Sequence, residues 1–234
     1  MSFFANRAGR KAVEAYNRQD YDEAQRVFDQ AYKRGMDDAK LLYAYGLVLI
    51  QRKEYEKAGK ILSEGIGLKP SNESDKSSLI ALYAIALWKC GNIEKAIEAL
   101  ESHLRSHKNG VIYATLGYLL IEAGDNNRAL QICSEALDYD DGDPAFLDNA
   151  GQLYYRNLHQ TDLAEGYFKQ AIQLKPFAVD SNYFLALIAA EKKDYVLASE
   201  HLHSALHGRI APLNYATPEM IEKLLNSVNE RING

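Results

Sequence analysis

Residues 41–70 read LLYAYGLVLIQRKEYEKAGKILSEGIGLKP. Leu42, Gly46 and Leu49 fall at i, i+4 and i+7, one stripe along a helix of 3.6 residues per turn. After the polar QRKE, a second stripe begins at Ala58, Leu62 and Gly65 with the same spacing. Small residues at Gly46, Ala58 and Gly65 let two helix backbones approach closely, and Leu62 fills the space beside them. The segment therefore reads as two helices joined by a short turn, closed by Pro70.

The same pattern recurs along the chain. YDEAQRVF, YEKAGKIL, IEKAIEAL, NNRALQIC, DLAEGYF and YVLASEHL align on Ala24, Ala58, Ala96, Ala129, Ala164 and Ala198, at intervals of 34, 38, 33, 35 and 34 residues. A small residue lies about twelve positions upstream in each: Ala12, Gly46, Ala84, Gly117, Gly151 and Ala186. A second follows downstream at Ala31, Gly65, Ala136, Ala171 and Ala205, with His103 the exception. No single hairpin can bury both of its faces, so neighbours must stack.

These residues resemble the tetratricopeptide repeat (TPR) family, a helix–turn–helix unit of 34 residues. The resemblance implies an all-α fold, an α–α superhelix or solenoid of six hairpins in one domain spanning 1–234. The expected units are 5–38, 39–72, 77–109, 110–143, 144–178 and 179–209. Four extra residues fall within 71–78, and one extra residue is placed in the turn at 156–162. Thr217, Pro218 and Glu219 read as N-cap, first-turn proline and first-turn acid. They open a capping helix near 217–232, whose apolar face carries Met220, Ile221, Leu224, Leu225, Val228 and Ile232. That brings the expected number of helices to thirteen.

Composition narrows the function. With 47% hydrophobic and 25% charged residues the chain can bury a core. A net charge of −5 argues against nucleic acid, whose binding depends on neutralising phosphates. No apolar run approaches the ~20 residues of a membrane span. The N-terminus offers no secretion signal. Two cysteines, Cys90 and Cys133, read as reduced thiols, so a cytoplasmic location is expected.

In the TPR arrangement the first helix of each hairpin lines a concave face. The stripe beside the buried one supplies the expected partner-binding residues: Tyr16, Tyr43, Leu47, Ile50, Ile85, Trp88, Tyr118, Ile121, Tyr155, Tyr183 and Leu187. Asp148 and Gln152 fall on the same stripe in the fifth unit. An apolar, aromatic groove of this kind suits a peptide or helix, with Tyr and Trp as rigid anchors. Some TPR proteins grip the C-terminal carboxylate of heat-shock chaperones through Lys, Asn and Arg. Here Gly9, Val13, Ala44, Ser78 and Leu82 stand at those places, and they cannot build a charge clamp.

Chemistry is sparse. No Gly-rich phosphate loop, HExxH, G-x-S-x-G or CxxC occurs. His203 and His207 have a spacing that suits a metal, as do His103 and His107, but both pairs are expected on solvent-facing helix surfaces. DYDDGDP at 138–144 has its glycine one residue early for a calcium loop. Cys90 beside Lys89 has no histidine nearby in sequence to activate it. The expected function is thus a non-enzymatic adaptor, scaffold or chaperone-like module that binds protein, with no cofactor and no metal. The alternative is a structural protein assembling into a homo-oligomer through the groove or the terminal helix.

Overall fold

The computed structural model describes residues 2–68 and 70–234. Thirteen α-helices occur among these residues: α1 (Ser2–Asn17), α2 (Tyr21–Lys33), α3 (Ala39–Gln51), α4 (Tyr55–Gly67), α5 (Glu73–Lys89), α6 (Ile93–Leu104), α7 (Gly110–Ala123), α8 (Asn126–Tyr139), α9 (Pro144–Gln152), α10 (Thr161–Leu174), α11 (Val179–Glu191), α12 (Tyr195–Leu206) and α13 (Pro218–Asn233). The all-α helix–turn–helix architecture is the one the periodicity implies. Within it the chain divides into two compact units, Met1–Thr115 and Leu116–Gly234.

The small residues do what their spacing demands. A Cβ added at Gly46 would lie 2.5 Å from Leu62 Cδ2, and one added at Gly151 would lie 2.5 Å from Phe168 Cε1. Ala12, Ala84 and Ala186 at the equivalent positions are completely buried, as are Ala24, Ala58, Ala96, Ala129, Ala164 and Ala198. Each first helix can therefore lie close against its second helix, with Phe28, Leu62, Leu100, Phe168 or Leu202 filling the remaining volume.

Every turn from first to second helix uses one geometry. Gln19, Lys53, Gly91, Gly124, His159 and Lys193 all have positive φ, between 55° and 80°. Each is followed directly by the residue that caps the next helix. The capping amide closes back on the preceding helix, as in Asp20 N to Ala15 O (3.0 Å) and Asn92 N to Leu87 O (2.9 Å). Asp20, Asp125 and Asp194 also accept an amide three residues on, satisfying a donor that the helix leaves free. Gly91 and Gly124 adopt this conformation without a side chain to strain it. At the other four turns polar side chains carry the left-handed strain, a feature periodicity does not reveal.

The two insertions become helix. The four residues within 71–78 form an extra first turn of α5, which has 17 residues against 13 in α3. The single extra residue, expected in the turn at 156–162, is placed otherwise. It is taken up one step earlier, where α9 continues as a π-helical turn, Leu153–Asn157. Leu158 N donates to Leu153 O at 3.1 Å, five residues back. A residue added inside a packed helix costs less as one wide turn than as a shift of every side chain beyond it.

α13 closes the second unit. Thr217 Oγ1 accepts from Met220 N at 3.3 Å, Pro218 occupies the first turn, and Ile221 and Val228 are buried. Met220, Leu224 and Leu225 pack on a core that includes Ala198, Leu202 and Ala205. Ile232, expected on the same face, is 43% exposed. No helix of the described residues is long and apolar enough to cross a membrane.

Candidate functional site

In the first unit the first helices α1, α3 and α5 present Tyr16, Tyr43, Leu47 and Trp88 partly exposed. Burial raises the Tyr43 hydroxyl, and the neighbouring Tyr16 adds to that rise. Tyr16 also meets Tyr21 edge-on at 5.7 Å. The Lys89 ammonium lies over the Trp88 ring, 3.6 Å from its centroid. Ile50 and Ile85, expected in the groove floor, are 5% and 6% exposed and belong to the core.

The second unit presents a different face. Tyr118, Ile121 and Tyr183, expected in the groove, are buried and belong to the core. Tyr155 is partly exposed and donates its hydroxyl to Glu191 Oε1 at 2.7 Å. Leu187 is partly exposed. Tyr183 is covered by the chain itself, because the segment 209–216 between α12 and α13 crosses the start of α11. The Tyr215 ring packs on Phe184 at 5.2 Å and on Tyr183 at 6.3 Å, and Arg156 lies 4.1 Å above it.

Asp180 fastens this strap. Its Oδ2 accepts from Tyr215 N (2.9 Å) and Asn214 Nδ2 (3.0 Å), and its Oδ1 accepts from Ala216 N (2.9 Å). Asp148 stands nearby. Gln152 Nε2 donates to Asp148 Oδ2 at 2.7 Å and reaches Asp180 Oδ2 at 3.4 Å. The Ser181 hydroxyl donates to Asp148 Oδ1. The π turn aims Arg156 at Glu122 (2.6 Å) and Gln152 Oε1 (2.9 Å), while Asn157 donates to Ile121 O (3.1 Å) and Asn126 Oδ1 (2.9 Å). Asp148 and Gln152 stand on the stripe that the sequence offered for the groove. Asp180, Ser181, Arg156 and Asn157 went unassigned, and the single extra residue of the fifth repeat was the signal that pointed to Arg156 and Asn157.

Burial beside the Asp180 carboxylate pushes Asp148 up to about 7, and burial raises Asp180 as well. A carboxyl raised in the native state makes folding take up a proton. Stability attributable to Asp148 is then present at pH 4 and is lost as pH rises toward 7. Asp148→Asn is therefore expected to raise stability at pH 8 by on the order of 1 kcal/mol. It should also flatten the pH dependence between 4 and 7. The amide oxygen can keep the Gln152 bond, and the Ser181 hydroxyl can turn to accept. Urea titrations at several pH values measure this. A variant as pH-sensitive as the parent would refute the assignment.

The remaining chemistry-bearing residues fall out as follows. His203 and His207 are exposed, and each directs Nδ1 to a backbone carbonyl one turn earlier (2.8 and 2.7 Å). His103 corrects the expectation of a solvent-facing pair. It is 6% exposed, because it replaces the usual small residue at a helix crossing, and burial holds its imidazole below the ordinary range; His107 is exposed. Burial raises the Cys90 thiol and pushes Cys133 up to about 12, so neither is activated as a thiolate.

This is a helix-hairpin repeat protein. The tetratricopeptide repeat family model matches residues 10–73 and 149–214, more than half of the chain, and the chain belongs to that family. No curated protein sequence matches it. Among solved structures it resembles PilW, a widely conserved type IV pilus biogenesis factor, at 15% identity and TM-score 0.69, covering 95% of this chain and 98% of that one. A chain of the APC/C hetero-tetramer Cut9-Hcn1 matches at 19% identity and TM-score 0.68; the match covers 94% of this chain but spans only 42% of that chain. TTC0263, a thermophilic TPR protein of Thermus thermophilus, matches at 17% identity and TM-score 0.64, covering 84% of this chain and 100% of that one. Such identities establish a shared fold. Membership of the family supports a protein–protein interaction module.

Proposed function

We propose that the protein is a non-enzymatic cytoplasmic adaptor that binds a peptide or helix of a partner on the first-helix face of its N-terminal unit. The observation that carries this reading is the partly exposed set Tyr16, Tyr43, Leu47 and Trp88 on α1, α3 and α5. Large apolar and aromatic side chains left in water at regular helical positions are contact material. Tyr adds a polar tip and orders few rotamers on binding. In the second unit Tyr155 and Leu187 are the partly exposed residues of the corresponding stripe. Ile50, Ile85, Tyr118, Ile121 and Tyr183 are buried and belong to the cores of their own units.

Trp88→Ala is expected to weaken a captured partner by about tenfold or more, on the order of 2 kcal/mol for a hot-spot aromatic. Calorimetry of the purified pair measures it, with the unfolding temperature of each protein as a control for folding. Unchanged affinity in a folded variant would refute Trp88 as an anchor. The same preparation distinguishes the homo-oligomer alternative, since light scattering of an adaptor alone should show no growth in mass with concentration.

A further inference from the structure

The extra turn at the start of α5 brings Glu73 against the end of α6. Glu73 Oε1 lies 3.8 Å from His103 Nε2 and 3.5 Å from His107 Nδ1, and the three ligand atoms all fall within 4.8 Å of one another. The two imidazoles stack, with centroids 5.4 Å apart. The Glu73 side chain is 41% exposed, but its Oε1 atom is covered and accepts no hydrogen bond, its nearest cation being Lys76 Nζ at 3.5 Å. Buried carboxylate oxygens are rarely left so, and each one calls for an explanation.

We propose that Glu73, His103 and His107 form a binding site for a divalent transition-metal ion, with zinc the best fit. Zinc takes imidazole nitrogen at about 2.0–2.1 Å and carboxylate oxygen at about 2.0–2.2 Å, so tetrahedral ligand atoms sit roughly 3.3–3.5 Å apart. The distances from Glu73 to both histidines lie within a few tenths of an ångström of that range. Two nitrogens and one oxygen suit zinc better than calcium or magnesium, which prefer oxygen throughout. The fourth position is left for water or a group from a partner.

Two departures of the chain from its repeat meet at this site. The insertion within 71–78 adds one helical turn, and that turn supplies the ligand Glu73. His103 occupies the crossing position that is Ala or Gly in the other five repeats, and there it reaches this turn. The site also needs only modest rearrangement. The Ser77 hydroxyl donates to Glu73 O at 2.9 Å, so the 2.8 Å contact from His103 Nε2 to Ser77 Oγ uses an imidazole N–H. Binding requires the other tautomer at His103, with the proton on Nδ1 and the Nε2 lone pair on the ion, and the same change at His107, whose Nδ1 now donates to Ser106 Oγ at 2.9 Å. Lys76 Nζ, 3.5 Å from Glu73 Oε1, swings out to solvent as the ion takes its place.

Zinc chloride titrated into the full-length metal-free protein, in competition with a chromophoric chelator, tests the site. One equivalent should bind. His107→Ala and Glu73→Gln should each weaken it by at least about tenfold, because loss of a mere supporting group already costs 10–100-fold. His203→Ala, which removes a histidine of equal spacing but without a third ligand, should bind as the parent does. Cobalt(II) in the same site should show the intense visible bands of tetrahedral coordination, which only the two ligand variants lose. Failure to bind zinc, or binding that either ligand substitution leaves unchanged in a folded protein, overturns the proposal.

Discussion

Gly151→Ala is expected to destabilise the protein by about 2 kcal/mol, although alanine is the better helix former by about 1 kcal/mol. The added methyl would stand 2.5, 2.6 and 2.9 Å from three atoms of the Phe168 ring. That ring is completely buried and stacked on Phe184 at 5.2 Å, so it has nowhere to retreat. The packing must open along the whole hairpin to admit one carbon. Gly166→Ala on α10 is the counterpart, since a Cβ there meets nothing within 4 Å. It should stabilise by about 0.5–1 kcal/mol through propensity alone. Denaturant unfolding of the two variants reads opposite signs if the small residues exist for close helix crossing. Two variants that shift in the same direction would mean that Gly151 is not at a crossing.

Asp180→Ala should cost about 2–3 kcal/mol, with the loss concentrated in the strap. Removing the carboxylate leaves the amides of Tyr215 and Ala216 and the side chain of Asn214 without their acceptor, and each unsatisfied buried donor costs about 1–3 kcal/mol. Part of that is offset, because Asp148 no longer faces a second carboxylate. Released, Tyr215 would uncover Phe184 and Tyr183. Hydrogen exchange should accelerate at residues 215 and 216 and in the first turn of α13, well before the rest of the second unit. Limited proteolysis should cut within 209–216. Uniform acceleration across α9–α12 would show instead that Asp180 supports the whole core and not the strap.

The architecture was legible because it rests on local rules. Small residues recur where helices cross, and Thr217-Pro218-Glu219 announces a helix at its first turn. The candidate face was less so. A stripe one step round from the buried one can be written down for every first helix, but its exposure depends on what the next helix brings. Ile50, Ile85, Tyr118 and Ile121 obey the stripe and are nevertheless core. Tyr183 is covered by Tyr215, thirty-two residues further along, and no periodicity contains that contact. The π turn was visible only as one residue too many. Its position could not be read, because a wide turn within α9 and a longer loop after it have the same length. His103 was visible as an exception to the small-residue rule, yet its partner Glu73 lies in a turn that the insertion created.

Hydrogen exchange of the protein alone and with a bound partner peptide tests the central claim most directly. The claim predicts slowed exchange along α1, α3 and α5, centred on the turns that carry Tyr16, Tyr43, Leu47 and Trp88, with α2, α4 and α6 unaffected. Protection confined to the second helices, with those first-helix turns unchanged, would contradict it.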